Sequence, residues 1–188
     1  TGPGTNTGVV SDGGQAIVID PGPVIPSHNA ATLDALQGVE AVAVLVTHTH
    51  PDHAPAANPL ATELGVPPVA RMDGPAFSAD RTVADGDTVA VGGLEVEVMA
   101  TPGHTPDSTC YRIDDVLFSG DHVMGGSTVI VDDMADYLAS LRRLLGIGIA
   151  TIHPGHGPIV DDAEALVSEY LEHRIEREDQ IVSAVADG

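Results

Sequence analysis

The run His48-Thr49-His50-Pro51-Asp52-His53 gathers three imidazoles and a carboxylate into six consecutive residues. Imidazole and carboxylate are the side chains that Zn²⁺ and neighbouring first-row metals accept, and a catalytic metal also keeps a position open for water. His48 and His50 lie two apart at the end of an apolar run, so an extended backbone turns both rings to one side. Pro51 keeps His50 out of helical geometry. Asp52 and His53 fall in the turn that follows, where adjacent side chains diverge and can address a different ion. One short segment can therefore serve two metals.

Three further positions put a histidine or aspartate beside glycine or at a strand end, where a backbone turn can aim the side chain inward. His104 lies in Thr101-Pro102-Gly103-His104-Thr105, Asp121 in Phe118-Ser119-Gly120-Asp121-His122, and His156 in Pro154-Gly155-His156-Gly157-Pro158. Each alone reads more readily as a turn residue than as a ligand. Joined to the histidine-rich run, they complete a candidate set of His48, His50, Asp52, His53, His104, Asp121 and His156.

The elements that must position this set are mostly short strands. Residues 8–11 and 15–20 flank Asp12-Gly13-Gly14 and read as a hairpin. Residues 27–36 can form a short helix that Gly38 stops before the apolar strand 41–46. An Ala- and Leu-rich helix is expected over 56–64 despite Pro59, closing at Gly65. Residues 88–91, 94–99, 108–113 and 115–119 alternate around Gly92-Gly93 and Pro102-Gly103 in the manner of an antiparallel sheet. Leu138, Leu141, Leu144 and Leu145 mark one face of a helix over 134–145, capped by Gly146, and 149–152 reads as a last strand. From Asp161 a polar helix runs to the end, with a break expected near His173. With no repeat and no dividing linker, the expected organisation is one domain over 1–172 and a C-terminal helix over 173–188.

Composition narrows the function classes. An apolar fraction of 43% in 188 residues supports a folded core. Seven basic residues, all arginine, against 28 acidic ones leave a net charge of −21, which repels polyanions at low salt and argues against nucleic acid as a default partner. The same acidity serves solubility, including in a salt-rich cytoplasm. The single cysteine, Cys110, excludes an intrachain disulfide framework, reads as a strand core residue and fits a reducing compartment. No leader and no apolar stretch of membrane-spanning length is visible, so a cytoplasmic protein without membrane contact is expected. The sequence begins at Thr1 rather than Met, so the natural N-terminus is expected upstream.

The seven candidates resemble the five-motif signature of the metallo-β-lactamase superfamily, and the resemblance covers nearly the whole chain. It implies an α/β (α+β) fold, the four-layer αββα sandwich, with two metals at one edge. It also implies that His48, His50 and His104 bind the first ion, that Asp52, His53 and His156 bind the second, and that Asp121 bridges them. Asp20 matches the family's first motif, an aspartate ending an early strand, and is expected behind a ligand, holding it or its loop; the alternative is a turn cap. Two cations about 3.5–4 Å apart can share a water and present it as hydroxide to a carbonyl or phosphoryl group. Asp52 would orient that water or accept its proton. The cofactor expected is two divalent ions, Zn²⁺ first, with Mn²⁺ or Fe²⁺ as alternatives.

The bridging position is Asp121 rather than cysteine, so resemblance to the antibiotic-degrading lactamases stops at the fold. Thr49 stands where the diiron flavoprotein branch has glutamate, which points away from dioxygen reduction, and Ala54-Pro55 replaces a Gly-Gly found in many relatives. Within the superfamily the chain is similar to the group around the lactamase-β-like protein 2, with a dinuclear site of the glyoxalase II and ribonuclease type. The stretches that carry this include Gly4-Thr5-Asn6-Thr7, Phe118-Ser119-Gly120-Asp121, and Tyr170-Leu171-Glu172-His173-Arg174. In that group a small winged-helix-like domain follows, and residues 173–188 would be the start of it.

The expected function is hydrolysis of an ester, thioester, lactone or phosphodiester bond, with a small-molecule ester or thioester or single-stranded RNA as substrate. One alternative is an endoribonuclease acting on single-stranded RNA, and another, of a different class, is a metal-binding paralogue without turnover. Weaker candidates remain. His122 is either a packing residue beside Asp121 or a contact to substrate, His153 is a core residue, and His28 and His173 are surface residues. Gly125-Gly126-Ser127-Thr128 is either a substrate-facing loop or an ordinary turn.

Overall fold

In the computed structural model, which describes residues 4–126 and 128–186, ten strands form two five-stranded sheets and four helices cover them. Ser127, in the candidate glycine loop, lies outside the described residues, as do residues 1–3 of the expected domain and 187–188 of the expected C-terminal helix.

The first sheet holds β1 (Gly8–Asp12), β2 (Gln15–Ile19), β3 (Glu40–Leu45), β4 (Pro68–Ala70) and β5 (Arg81–Thr82) in that order. β1 and β2 form the expected hairpin, and β2 to β5 pair in parallel. The second sheet runs β10 (Thr151–Pro154), β9 (Val116–Gly120), β8 (Thr109–Ile113), β7 (Leu94–Ala100) and β6 (Thr88–Val91). It is antiparallel from β6 to β9, as the alternation predicts, while β10 joins β9 in parallel. Consequently β7, β9 and β10 all end at the same edge.

Three apolar layers separate the four structural ones. Between the sheets, Ile17, Ile19, Leu45 and Val69 meet Val89, Val91, Val96, Val98 and Tyr111. On the outer face of the first sheet, Ala16, Val18, Val44 and Val46 pack with Leu36, beyond α1 (Pro26–Ala35), and Leu60 of α2 (Ala57–Leu64). On the outer face of the second, Met99, Cys110, Leu117 and Ile152 pack with Tyr137, Leu141 and Leu144 of α3 (Met134–Leu144) and Val167 of α4 (Ala163–Ala186). Alternate residues of β2 thus enter different cores, and for that reason its sequence is apolar without a break. The architecture is the αββα sandwich.

Some local features depart from the sequence expectations and one meets them despite a proline, each for an identifiable reason. β4 and β5 were not anticipated: they are very short, and β4 begins on a proline, a tolerated first strand position whose conformation is set by pairing with β3. α2 accepts Pro59 because that residue sits in the first helical turn, where amide hydrogens have no intrahelical partner. α4 continues through His173 rather than breaking there. No helix among the described residues is long and apolar enough to cross a membrane.

Candidate metal centre

All seven candidates emerge at one sheet edge, from segments that follow strand ends. His48, His50, Asp52 and His53 follow β3, His104 lies in the turn between β7 and β8, Asp121 is the first residue after β9, and His156 comes two residues after β10. The two sheets approach closely here. A Cβ on Gly120, at the end of β9, would lie 2.4 Å from Thr47 Oγ1, and Gly120 has φ +51, so glycine meets both demands.

Two clusters of donor atoms result. His48, His50 and His104 form one, and Asp52, His53 and His156 the other, with the donor atoms of each within 4.8 Å of one another. His50 Nδ1 lies 3.0 Å from His48 Nε2 and 3.2 Å from His104 Nε2. A tetrahedral ion with bonds of about 2.0–2.1 Å spaces its ligands by about 3.3–3.4 Å, so the rings already stand near coordinating distance. His53 Nε2 and His156 Nε2 face each other at 3.3 Å, and Asp52 Oδ2 is 3.2 Å from His156 Nε2.

Asp121 sits between the clusters. Its Oδ1 is 3.3 Å from His53 Nε2, and its Oδ2 lies 3.5 Å from His156 Nε2 and 3.8 Å from His104 Nε2. Oδ1 is sealed from solvent without a well-directed hydrogen bond among the described residues. Such an orphaned acceptor is unfavourable unless something cationic satisfies it. Together with imidazole nitrogens converging on the same space, it is the arrangement that divalent ions fit.

The far side of each ring decides which nitrogen faces inward. His53 Nδ1 donates to Asp20 Oδ2 (2.9 Å), His104 Nδ1 to the Ile130 carbonyl (2.6 Å) and His156 Nδ1 to the Gly4 carbonyl (3.0 Å). His48 Nδ1 is 3.1 Å from Thr47 Oγ1, which itself donates to Asp20 Oδ2 at 2.6 Å. Each bond leaves Nε2 free for a ligand role. Asp20 also accepts the Thr47 amide at 2.8 Å and has φ +50. Its oxygens are thus engaged with Thr47 and His53. Although Asp20, His48 and His53 also bring three donor atoms together, these bonds favour Asp20 as a brace over a ligand.

Electrostatics follow the same geometry. Burial and the neighbouring His53 hold His48 well below the usual histidine range, and burial with His104 lowers His50. Burial also opposes charge on His53, but the carboxylates of Asp20 and Asp121 outweigh it and push its pKa up to about 10. Burial would raise Asp121, yet His53 beside it holds the carboxyl at about 2. In the metal-free protein His53 therefore carries a proton at neutral pH, where His48 and His50 do not. Occupation of the second cluster should expel about one proton, and its affinity should rise with pH until His53 deprotonates near 10. Titration calorimetry in buffers of different ionisation enthalpy measures this release; identical heats in all buffers would rule it out.

The weaker candidates are also resolved. His122 is buried against the Tyr137 ring, with neither ring nitrogen hydrogen-bonded among the described residues, and burial lowers its pKa to about 3. His153 is half-buried within β10 against Phe118. His28 is a half-buried residue rather than a surface one, because its Nε2 donates to Thr7 Oγ1 (2.7 Å) and that hydroxyl donates to the Asp20 carbonyl. His173 is exposed, as expected. Cys110 is fully buried in β8, and burial pushes its thiol up to about 12. Four supporting groups were missed by sequence reasoning: Thr47, the carbonyls of Ile130 and Gly4, and Asp107, whose Oδ2 accepts the Thr49 amide at 2.8 Å. A backbone carbonyl carries no residue-type signal, so two of these were invisible.

An αββα sandwich with a His/Asp cluster at the ends of its strands defines a class of metal-binding folds. The chain belongs to the metallo-beta-lactamase superfamily, whose family model matches residues 1–156. It is 31% identical over 199 residues to a beta-lactamase-like protein 2 homolog of Caenorhabditis elegans, covering 98% of this chain and 66% of the relative. It is 30% identical over 188 residues to an atrochrysone carboxyl ACP thioesterase of Aspergillus chevalieri, covering 98% of this chain and 61% of that one. It thus spans somewhat less than two thirds of the length of these curated relatives. Among solved structures, TTHA1623 in a di-iron-bound form superposes with a TM-score of 0.70 at 27% identity, over 87% of this chain and 93% of the other.

Proposed function

We propose that this protein is a metal-dependent hydrolase that opens an ester, thioester or lactone at a centre of two divalent ions. The observation that carries the reading is the pair of three-residue donor clusters meeting across a buried, hydrogen-bond-deficient Asp121. In this reading His48, His50 and His104 hold one ion, Asp52, His53 and His156 the other, and Asp121 reaches both. When bound, the two cations would polarise the scissile carbonyl and lower the pKa of the attacking water. Asp52 is the more accessible carboxylate, its side chain 45% exposed against 10% for Asp121, so it orients the water and accepts its proton. Asp20 and Thr47 keep His53 and His48 turned inward and take no part in bonds to substrate.

Zn²⁺ suits the imidazole and carboxylate donors, which also serve Mn²⁺ and Fe²⁺; the di-iron relative illustrates the last. The thioesterase name of one relative supports an acyl substrate. The net charge of −21 disfavours RNA. We assign residues 1–172 to the catalytic unit and, with its one buried thiol, place the protein in the cytoplasm.

Metal-reconstituted protein assayed against thioesters, esters, lactones, phosphodiesters and short RNAs, at low and molar salt, tests the proposal. Turnover of an acyl substrate with close to two ions bound, abolished by chelation, is the expected result. RNA cleavage without acyl turnover would replace it with a ribonuclease, and full metal loading without turnover would leave a metal-binding protein.

A further inference from the structure

His104 presents Nε2 to its cluster because Nδ1 is engaged by the Ile130 carbonyl at 2.6 Å. That carbonyl needs an anchor. The Ile130 side chain is 80% exposed, so no apolar burial of its own holds the residue in place. Val129, one residue earlier, is buried, and its carbonyl accepts a hydrogen bond from the Arg174 guanidinium at 2.5 Å. Fixing the Val129 carbonyl fixes the peptide plane that leads into Ile130, leaving only the two soft dihedrals of that residue between the anchor and the carbonyl on His104.

Arg174 is itself held. Its guanidinium carbon lies 5.6 Å from the centroid of the Tyr137 ring, and Tyr137 is fully buried with its hydroxyl donating to the His122 carbonyl at 2.8 Å. A cation over an aromatic face combined with a charge-assisted hydrogen bond is a stiff link between α4 and the Val129–Ile130 segment.

We infer that Arg174 is a positioning residue for the metal cluster of His48, His50 and His104: through Val129 and Ile130 it keeps His104 in its coordinating orientation, so that α4 sets the affinity of that one ion. The inference rests on the two-ion reading above.

Stepwise affinities for Zn²⁺, measured by competition with a chromophoric chelator, test it in the wild type and in Arg174→Ala, Arg174→Lys and Arg177→Ala. Arg177, on the same helix, bonds the exposed Gln180 side chain and no other among the described residues, and serves as the control. A group bonded directly to a metal ligand typically carries 10–100-fold in affinity, and Arg174 acts one residue further out. Arg174→Ala should therefore weaken one ion by about 10-fold and spare the other. Arg174→Lys, lacking the planar fork, should recover part of the loss, and added guanidinium ion should rescue the alanine variant. The absorption of the Co²⁺-substituted protein should change with Arg174→Ala and not with Arg177→Ala.

A folded Arg174→Ala protein with both affinities unchanged overturns the inference, and so does an equal loss at both ions, which would mark a general structural role. If Arg174→Ala does not fold, Arg174→Lys carries the same test. Should the wild type and His48→Ala bind Zn²⁺ alike, it is the two-ion reading that fails instead.

Discussion

Asp121→Ala should release both ions and lower hydrolysis by on the order of 10²–10³-fold, the loss that follows removal of a preorganised electrostatic partner from an active site. Two dications about 4 Å apart repel each other by ~17 kcal/mol even at an effective dielectric of 20. A carboxylate between them offsets part of that repulsion, and Asp121 reaches both clusters, at 3.3 and 3.5 Å on one side and 3.8 Å on the other. Without it the first cluster has imidazoles and no carboxylate, and the second has a single half-exposed carboxylate. Asp121→Asn separates charge from shape, since it keeps the volume and loses the anion; it should lose metal nearly as completely. Metal content after desalting, read with turnover and a melting scan, decides the matter. An Asp121→Ala protein that keeps two ions and full activity would sink the mechanism.

Gly155→Ala should reduce turnover by about 10²-fold, the usual effect of a misplacement near 1 Å. A Cβ at Gly155 would stand 2.6 Å from both Asp121 Oδ1 and His53 Cε1, where ordinary contact begins at 3.4 Å. The backbone cannot retreat. Its amide donates to the Gly120 carbonyl at 2.7 Å, and its carbonyl accepts the Asn6 amide at 2.7 Å. Asp121 and His53 must therefore move by about 0.8 Å, and overpacking of this kind also destabilises the fold by ~1–3 kcal/mol. Metal content, turnover and melting temperature of Gly155→Ala test the point, and wild-type values in all three would show the contact to be harmless.

Much of the architecture was legible in residue order. The hairpin at Asp12-Gly13-Gly14, the helix that survives Pro59 and the antiparallel run around Gly92-Gly93 follow from turn chemistry and local periodicity. β4 and β5 were not legible, because strands this short are defined by pairing with β3 and with each other, not by their own residues. The continuity of α4 through His173 was hidden for a related reason. Its later apolar residues, Ile175, Ile181, Val182 and Val185, are exposed rather than packed with Leu166, Tyr170 and Leu171 on the outer core of the second sheet, while nothing in the local sequence stops the backbone hydrogen bonds.

The candidate centre divides along the same line. Residue types and spacing marked four of the seven side chains, because His-x-His at a strand end and Asp-His in the next turn are local geometry, whereas His104, Asp121 and His156, each an ordinary turn residue by itself, gain a ligand role from the resemblance to the superfamily. Only the tertiary structure decided how they meet. Asp20 holds His53 from 33 residues away, the Ile130 carbonyl holds His104 from 26, and the Gly4 carbonyl holds His156 from 152. The direction of an imidazole depends on what bonds its far side, and those partners are brought there by packing of the two sheets.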